Sequence, residues 1–124
     1  MSKNTKRKLL AERLNSLWGQ WIHKAWHEQC AIFRDNCDPR TLHAAHILGK
    51  GAFPHWRWEP WNGLLLRHDM HGLYDKNDLQ VITVLIRRYP GLFALADEHR
   101  KKHPDPWTLQ ELEDKVKVFK EALK

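Results

Sequence analysis

Histidine and aspartate side chains cluster beside two short apolar segments of this chain. LHAAHI (42–47) carries two histidines, and NGLLLRHDMHGLYD (62–75) carries His71 and Asp75 after a run of leucines. Residues four apart on a helix share a face, so His71 and Asp75 can face one ion. An imidazole and a carboxylate, joined by one strand ligand, leave positions for water and phosphate. The spacing therefore predicts a hydrolytic metal site rather than a closed structural one.

Two strands and a helix must position these groups. A turn over 35–41 precedes a strand over 42–48, which ends at the glycines of GKGAFP. A loop of about fourteen residues, rich in Gly, Pro and Trp, leads to a second strand, GLLLR (63–67), antiparallel to the first. From Asp69 the apolar spacing becomes helical. We expect a hairpin-plus-helix core over about 41–76.

Helical patterns flank this core on both sides. Residues 5–34 carry apolar side chains at helical spacing, as one long helix or as two that Gly19 divides. Beyond the core, 77–89 is predicted to be a helix that ends at the Pro-Gly pair at 90–91. A further short helix is predicted over 92–102.

The last helix carries the strongest local signal. Thr108 and Glu111 form a T-x-x-E capping box, and the apolar residues that follow recur at steps of three and four. With helical flanks over 5–34 and 77–123, the predicted fold class is α+β and mostly helical. A chain of 124 residues is expected to form a single domain, 1–124.

The composition favours a polyanionic partner. There are 21 Lys and Arg against 15 Asp and Glu, a formal charge of +6, and neutralising phosphates with such residues releases counterions. No apolar run reaches the ~18 residues of a membrane span, and no secretory signal is evident. Cys30 and Cys37 are therefore expected to be reduced thiols, and we expect a cytoplasmic protein without a membrane partner.

The motif residues resemble those of the HNH, or ββα-metal, endonucleases. The matching positions are AAHI (44–47), Asn62, and then His71 and Asp75 nine and thirteen positions after Asn62. The resemblance implies that His46 is the catalytic general base and that Asn62 orients it. It also implies that His71 and Asp75 bind the metal.

The same resemblance implies a function. The chain would be a metal-dependent DNA endonuclease that uses one divalent ion, with Mg, Mn, Ni and Zn all open. A looser similarity over about 18–124 links it to phage recombination endonucleases of the NinG/Rap type, which cut branched DNA. It would then act in the host cytoplasm, and a homodimer is one arrangement that the resemblance allows.

Two positions depart from the family pattern. Arg67 and Met70 stand where many relatives carry zinc-binding cysteines, so no structural zinc is expected. Ala45 stands where a metal ligand usually precedes the base. Residues two apart on a strand share a face, so His43 is the substitute ligand, with His68 as its rival.

Basic residues beside the motif are the candidates for contact with DNA. Arg67, Arg57 and Lys50 are assigned this nucleic-acid-binding role. The alternative function is a non-catalytic nucleic-acid-binding module on the same scaffold, which the Ala45 departure keeps open. A delivered nuclease toxin ranks lower, because no translocation segment is evident in the sequence.

Overall fold

The computed structural model describes residues 2–34 and 37–124. In these residues five α-helices surround one two-stranded antiparallel sheet, so the fold is α+β and mostly helical, as predicted. Asp35 and Asn36, the first residues of the predicted turn, lie outside the described residues. The elements in chain order are α1 (Lys3–Ala25), β1 (Leu42–His46), β2 (Gly63–Arg67), α2 (His68–Asp75), α3 (Leu79–Arg88), α4 (Pro90–Arg100) and α5 (Leu109–Ala122).

The two strands form the predicted antiparallel hairpin. Ala44 lies opposite Leu65, and His46 lies opposite Gly63. All three leucines of β2 are fully buried, because helices and loops cover both faces of the sheet. α2 begins at His68, directly after β2. The first turn of α2 is therefore held close to the strand that carries the histidines.

α1 ends at Ala25, so the predicted helical flank over 5–34 is too long. His27 and Glu28 have left-handed backbone, with φ of 53° and 54°, which a right-handed helix cannot contain. The Glu28 amide donates to the carbonyl of His23 at 3.0 Å and closes the helix end.

The residues after α1 keep an apolar pattern for a different reason. Cys30 and Ala31 are buried, and the Ala31 amide donates to the Leu65 carbonyl of β2 at 2.8 Å. This segment packs against the hairpin rather than continuing α1. Apolar spacing alone does not separate these two cases, because both bury the same residues.

The helices of the carboxyl-terminal half begin at distinct local signals. Pro90 is the first residue of α4 and does not merely end the preceding helix, because the first turn needs no N–H from it. The capping box of α5 is confirmed. The Glu111 amide donates to the Thr108 hydroxyl at 3.1 Å, and the Thr108 amide donates to the Glu111 carboxylate at 3.0 Å.

One hydrophobic core joins the flanking helices to the hairpin. α5 packs along α1, and both helices direct apolar side chains toward β2. This packing supports the hairpin from the α1 side. The buried core residues of α1, β2 and α5 are Leu14, Trp18, Ile22, Leu64, Leu65, Leu66, Leu112, Val116 and Phe119.

No single helix in the described ranges is long and apolar enough to cross a membrane. α3 and α4 reach the required length and composition only as a pair, and the chain bends by 104° between them.

Gly63 allows the close approach of α1 to the hairpin. A Cβ at this position would lie 2.5 Å from Ile22 Cδ1 and 2.7 Å from Trp18 Cζ2, and both of those side chains are buried.

Gly63→Ala is expected to lower the free energy of unfolding by about 1–3 kcal/mol. Gly19→Ala is the matched control, because Gly19 lies inside α1 with nothing within 4 Å of a Cβ. It should stabilise the protein by about 0.5–1 kcal/mol. Urea denaturation of both variants measures the difference, and equal effects would contradict this account.

Candidate active site

His46 ends β1 with its imidazole fixed on two sides. The ring stacks on Trp18 at a centroid distance of 4.1 Å and an interplanar angle of 7°. Nε2 lies 2.9 Å from the carbonyl oxygen of Arg57. A carbonyl only accepts, so Nε2 carries the proton and Nδ1 keeps its lone pair. Burial lowers the pKa of His46, and the nearby charges of Arg57 and Lys50 lower it further, while the Arg57 carbonyl partly opposes them. His46 is therefore an uncharged base near neutral pH.

Asn62 is fully buried and organises the loop beside His46. Its Oδ1 accepts from the Leu48 amide at 2.7 Å. Its Nδ2 donates to the carbonyls of Leu48 at 3.1 Å and Trp56 at 2.9 Å. The Trp56 carbonyl is one residue before the Arg57 carbonyl that accepts from His46. Asn62 can therefore position the base through the loop backbone.

His43, His71 and Asp75 form a row with His71 at its centre. His43 Nδ1 lies 3.3 Å from His71 Nδ1, and His71 Nε2 lies 3.3 Å from Asp75 Oδ2. Asp75 and His43 thus contact opposite nitrogens of one ring. The ring of His68 is further away, with its centroid 6.2 Å from that of His43. Partial burial, and then the charges of His71 and His68, lower the pKa of His43, which favours its uncharged form.

The donor chemistry of this row suits a divalent ion. Two nitrogens bound to one tetrahedral ion at roughly 2.0–2.1 Å are separated by ~3.3 Å, which is the spacing of the His43 and His71 Nδ1 atoms. A carboxylate on the far nitrogen, as Asp75 provides, holds the imidazole in the tautomer that binds metal. In residues 2–34 and 37–124, no three His, Cys, Asp or Glu side chains already enclose a common point. The residues therefore fit two direct ligands and one orienting carboxylate.

An open cleft of about 310 Å³ lies among the end of β1, the end of α2, and helices α3 and α4. His46 and Asp75 both line it, together with Tyr74 and Asn77. Of the predicted metal-site residues, Asp75 shares this space with the candidate base, and His43 and His71 lie outside its walls. That space is open to solvent on one side, as attack by water on a large substrate requires.

Tyr74 lines this cleft and gives a pH-dependent test of its packing. Burial and then the charge of Asp75 raise the pKa of Tyr74 from 10.0 to about 12. The uncharged phenol is favoured in the folded state, so its contribution is complete below pH 10 and is lost as pH rises toward 12. We expect a loss of about 2–3 kcal/mol in unfolding free energy across that range. Urea unfolding at pH 10 and at pH 12, for the wild type and for Tyr74→Phe, measures this loss. An identical alkaline loss in Tyr74→Phe would contradict its assignment to the Tyr74 phenol.

The three predicted DNA-contacting residues lie in different surroundings. Arg67 makes two hydrogen bonds of 2.7 Å to Asp69 and lies over the ring of Phe33. This pairing lowers the pKa of Asp69 to about 2, so the Arg67 charge is already partly neutralised. Lys50 is exposed in the loop after β1. The Arg57 side chain lines a second cavity that shares no residue with the cleft.

Two features of the site escaped the sequence patterns. Trp18 is one of the apolar residues of the helical pattern over 5–34, yet it also stacks on His46. The hydrogen-bond partner of His46 is a backbone carbonyl, which no side-chain motif reveals. Ala45, at the position where HNH endonucleases usually carry a ligand, is buried in the core. Its methyl group offers no atom that could bind a metal ion.

No family model, curated protein or solved structure matches this chain. The likeness to HNH endonucleases accordingly depends on the motif residues and their spacing.

Proposed function

We propose that this chain is a metal-dependent DNA endonuclease in which β1, β2 and α2 form a ββα-metal core. His46 acts as general base and His43, His71 and Asp75 form the metal site. The carrying observation is that an uncharged, carbonyl-bound His46 lines the same cleft as Asp75. The row of metal-capable side chains starts at that carboxylate.

His46 and the residues that contact it have separate roles in the proposed hydrolysis. His46 holds its Nε2 proton on the Arg57 carbonyl, so Nδ1 can take a proton from water. The stacked Trp18 keeps the imidazole plane fixed during that transfer. Water then attacks the phosphorus in line as the scissile P–O ester bond breaks, and the leaving oxygen takes a proton from solvent. A bound divalent ion would stabilise the charge that grows on the phosphoryl and leaving oxygens. The net charge of +6 and exposed Lys50 favour approach of the DNA backbone.

A non-catalytic nucleic-acid-binding module is the second candidate. The observation that favours it is Ala45, whose methyl side chain offers no ligand atom next to the base. In residues 2–34 and 37–124, the pair of nitrogens at ligand spacing is that of His43 and His71. Such a protein would bind DNA through its basic surface and leave it uncut with every ion.

The test is cleavage by the purified full chain of supercoiled plasmid and of a synthetic four-way junction. Each substrate is incubated with Mg²⁺, Mn²⁺, Co²⁺, Ni²⁺, Zn²⁺ or EDTA. Nicking or junction cleavage with at least one ion, and none in EDTA, is the expected result. Preferential cutting of the junction would favour a role in recombination. Binding of both substrates without cleavage under any ion would overturn the endonuclease proposal in favour of the binding module.

The proposed metal site predicts that removing either histidine ligand weakens ion binding. His43→Ala and His71→Ala are each expected to weaken Ni²⁺ or Zn²⁺ binding by at least roughly 10–100-fold, because each removes a direct nitrogen ligand. His103→Ala, an exposed histidine in the segment before α5, is the matched control. Isothermal titration calorimetry measures all three, and His68→Ala tests the rival ligand. Unchanged affinity in His43→Ala with a loss in His68→Ala would exchange their roles.

A further inference from the structure

A second cavity lies on the other side of the loop that contacts His46. Its volume is about 280 Å³, near the lower end of sizes for small-ligand sites. Arg7 from α1, Arg57 and Trp58 from the loop, and Trp107 from the segment before α5 line it. The remaining walls are mainly proline and aliphatic side chains. The cavity therefore combines apolar walls with two cations.

Within residues 2–34 and 37–124, the two guanidinium groups of this cavity lack carboxylate partners. In the described ranges, the ion pairs within 4.0 Å involve neither Arg7 nor Arg57. Arg57 Nε is buried and makes no hydrogen bond, and desolvation lowers the pKa of Arg57. Arg7 donates to the carbonyl of Trp107 at 2.6 Å, which leaves its other donors free. An anion with several oxygens in the cavity would supply acceptors to the terminal N–H groups of Arg7 and Arg57.

The aromatic walls are held rigidly by their own hydrogen bonds. Trp107 Nε1 donates to the His55 carbonyl at 3.2 Å, and Trp58 Nε1 donates to Asn15 Oδ1 at 2.9 Å. The Lys115 ammonium lies 4.7 Å from the Trp107 ring centroid. The indole N–H groups are thus already used. Trp58 is buried beneath the Arg57 guanidinium, whose Cζ lies 5.1 Å from the ring centroid, and the half-buried Trp107 ring offers apolar surface to a ligand. Fixed aromatic surfaces of this kind stack planar bases.

We propose that this cavity binds one unstacked nucleotide, with its base against Trp107 and its phosphate between Arg7 and Arg57. The inference deepens the proposed function, because it names an unpaired nucleotide as a feature of the DNA substrate. It rests on the proposed function, which supplies DNA as the source of that nucleotide. Arg57 joins the two sites, because its side chain lines the cavity while its carbonyl accepts from His46. A nucleotide bound in the cavity would stabilise the loop whose Arg57 carbonyl holds His46, the candidate general base.

Binding is measured by tryptophan fluorescence and calorimetry on the full chain in EDTA, where no cleavage can occur. The probes are dAMP, inorganic phosphate, a short single-stranded oligonucleotide and the matching duplex. We expect dAMP and the single strand to bind, with phosphate and duplex at least about tenfold weaker at this site. Arg7→Gln and Arg57→Gln should each weaken dAMP binding about tenfold or more. Trp107→Leu should weaken dAMP about fivefold or more and leave phosphate unchanged.

Arg13→Gln is the matched control, because Arg13 is exposed on α1 and does not line the cavity. It should change dAMP affinity by less than about twofold. If Arg57→Gln fails to fold, Arg57→Lys retains the charge without the planar fork and should still weaken binding. Binding of dAMP without the single strand would support the site and assign it to free mononucleotides.

Three results would overturn the inference. The first is that neither dAMP nor the single strand binds. The second is that phosphate binds as tightly as dAMP, and the third is that Arg13→Gln loses as much dAMP affinity as the cavity variants. The two proposals fail separately. Binding of dAMP in EDTA without cleavage under any ion refutes only the endonuclease, and metal-dependent cleavage without dAMP binding refutes only the nucleotide site.

Discussion

Replacing His46 with alanine is expected to lower the rate of metal-dependent DNA cleavage by about 10²–10⁴-fold, the usual contribution of a general base. The imidazole is the candidate group in the cleft with a fixed tautomer and a free nitrogen lone pair. Its pKa is lowered by burial, so the uncharged form predominates under ordinary assay conditions. Alanine removes both the lone pair and the hydrogen bond to the Arg57 carbonyl. Initial rates on supercoiled plasmid at saturating metal measure the effect.

A loss of folding must be separated from a loss of catalysis in this experiment. His46→Gln can still donate to the Arg57 carbonyl but offers no base, so it should be as inactive as alanine while perturbing the loop less. His103→Ala, an exposed histidine, controls for the substitution itself. Urea denaturation shows whether each variant is folded. Cleavage by folded His46→Gln at the wild-type rate would place the base elsewhere.

Replacing Asn62 with aspartate is expected to lower the free energy of unfolding by about 3–5 kcal/mol. The carboxylate could still accept from the Leu48 amide, but it cannot donate to the carbonyls of Leu48 and Trp56. Those carbonyls would face a buried charge and lose their donors. The loop that positions the Arg57 carbonyl should then move, and cleavage should fall with stability.

Asn4→Asp is the matched control for the Asn62 substitution. Asn4 is exposed in the first turn of α1, where a carboxylate is tolerated or slightly favoured by the helix dipole. We expect its unfolding free energy to change by less than about 1 kcal/mol. Thermal and urea unfolding of both variants measure the contrast. An Asn62→Asp protein as stable as Asn4→Asp would show that the three hydrogen bonds do not hold the loop.

Local signals accounted for most of the secondary structure. The short apolar runs LHAAHI and GLLLR with their flanking turn residues predicted both strands, and the T-x-x-E box predicted the start of α5. Each of these signals depends on residues within a few positions of one another. The end of α1 was predicted too late, because burial of Cys30 and Ala31 against β2 preserves an apolar pattern without a helix.

The sequence by itself determined which side chains are available for chemistry and which elements carry them. Local spacing reveals the candidate groups: two histidines on the first strand, an asparagine before the second strand, and His71 with Asp75 on the following helix. Their mutual contacts depend on how the hairpin, α1 and α2 pack, which spacing does not encode. Only the tertiary structure placed His43 against His71, Trp18 on His46, and the Asn62 amide on the loop backbone. The physical reason is that the first two contacts join residues of different elements 28 positions apart in the chain, and the geometry of all three follows from close packing of the whole core.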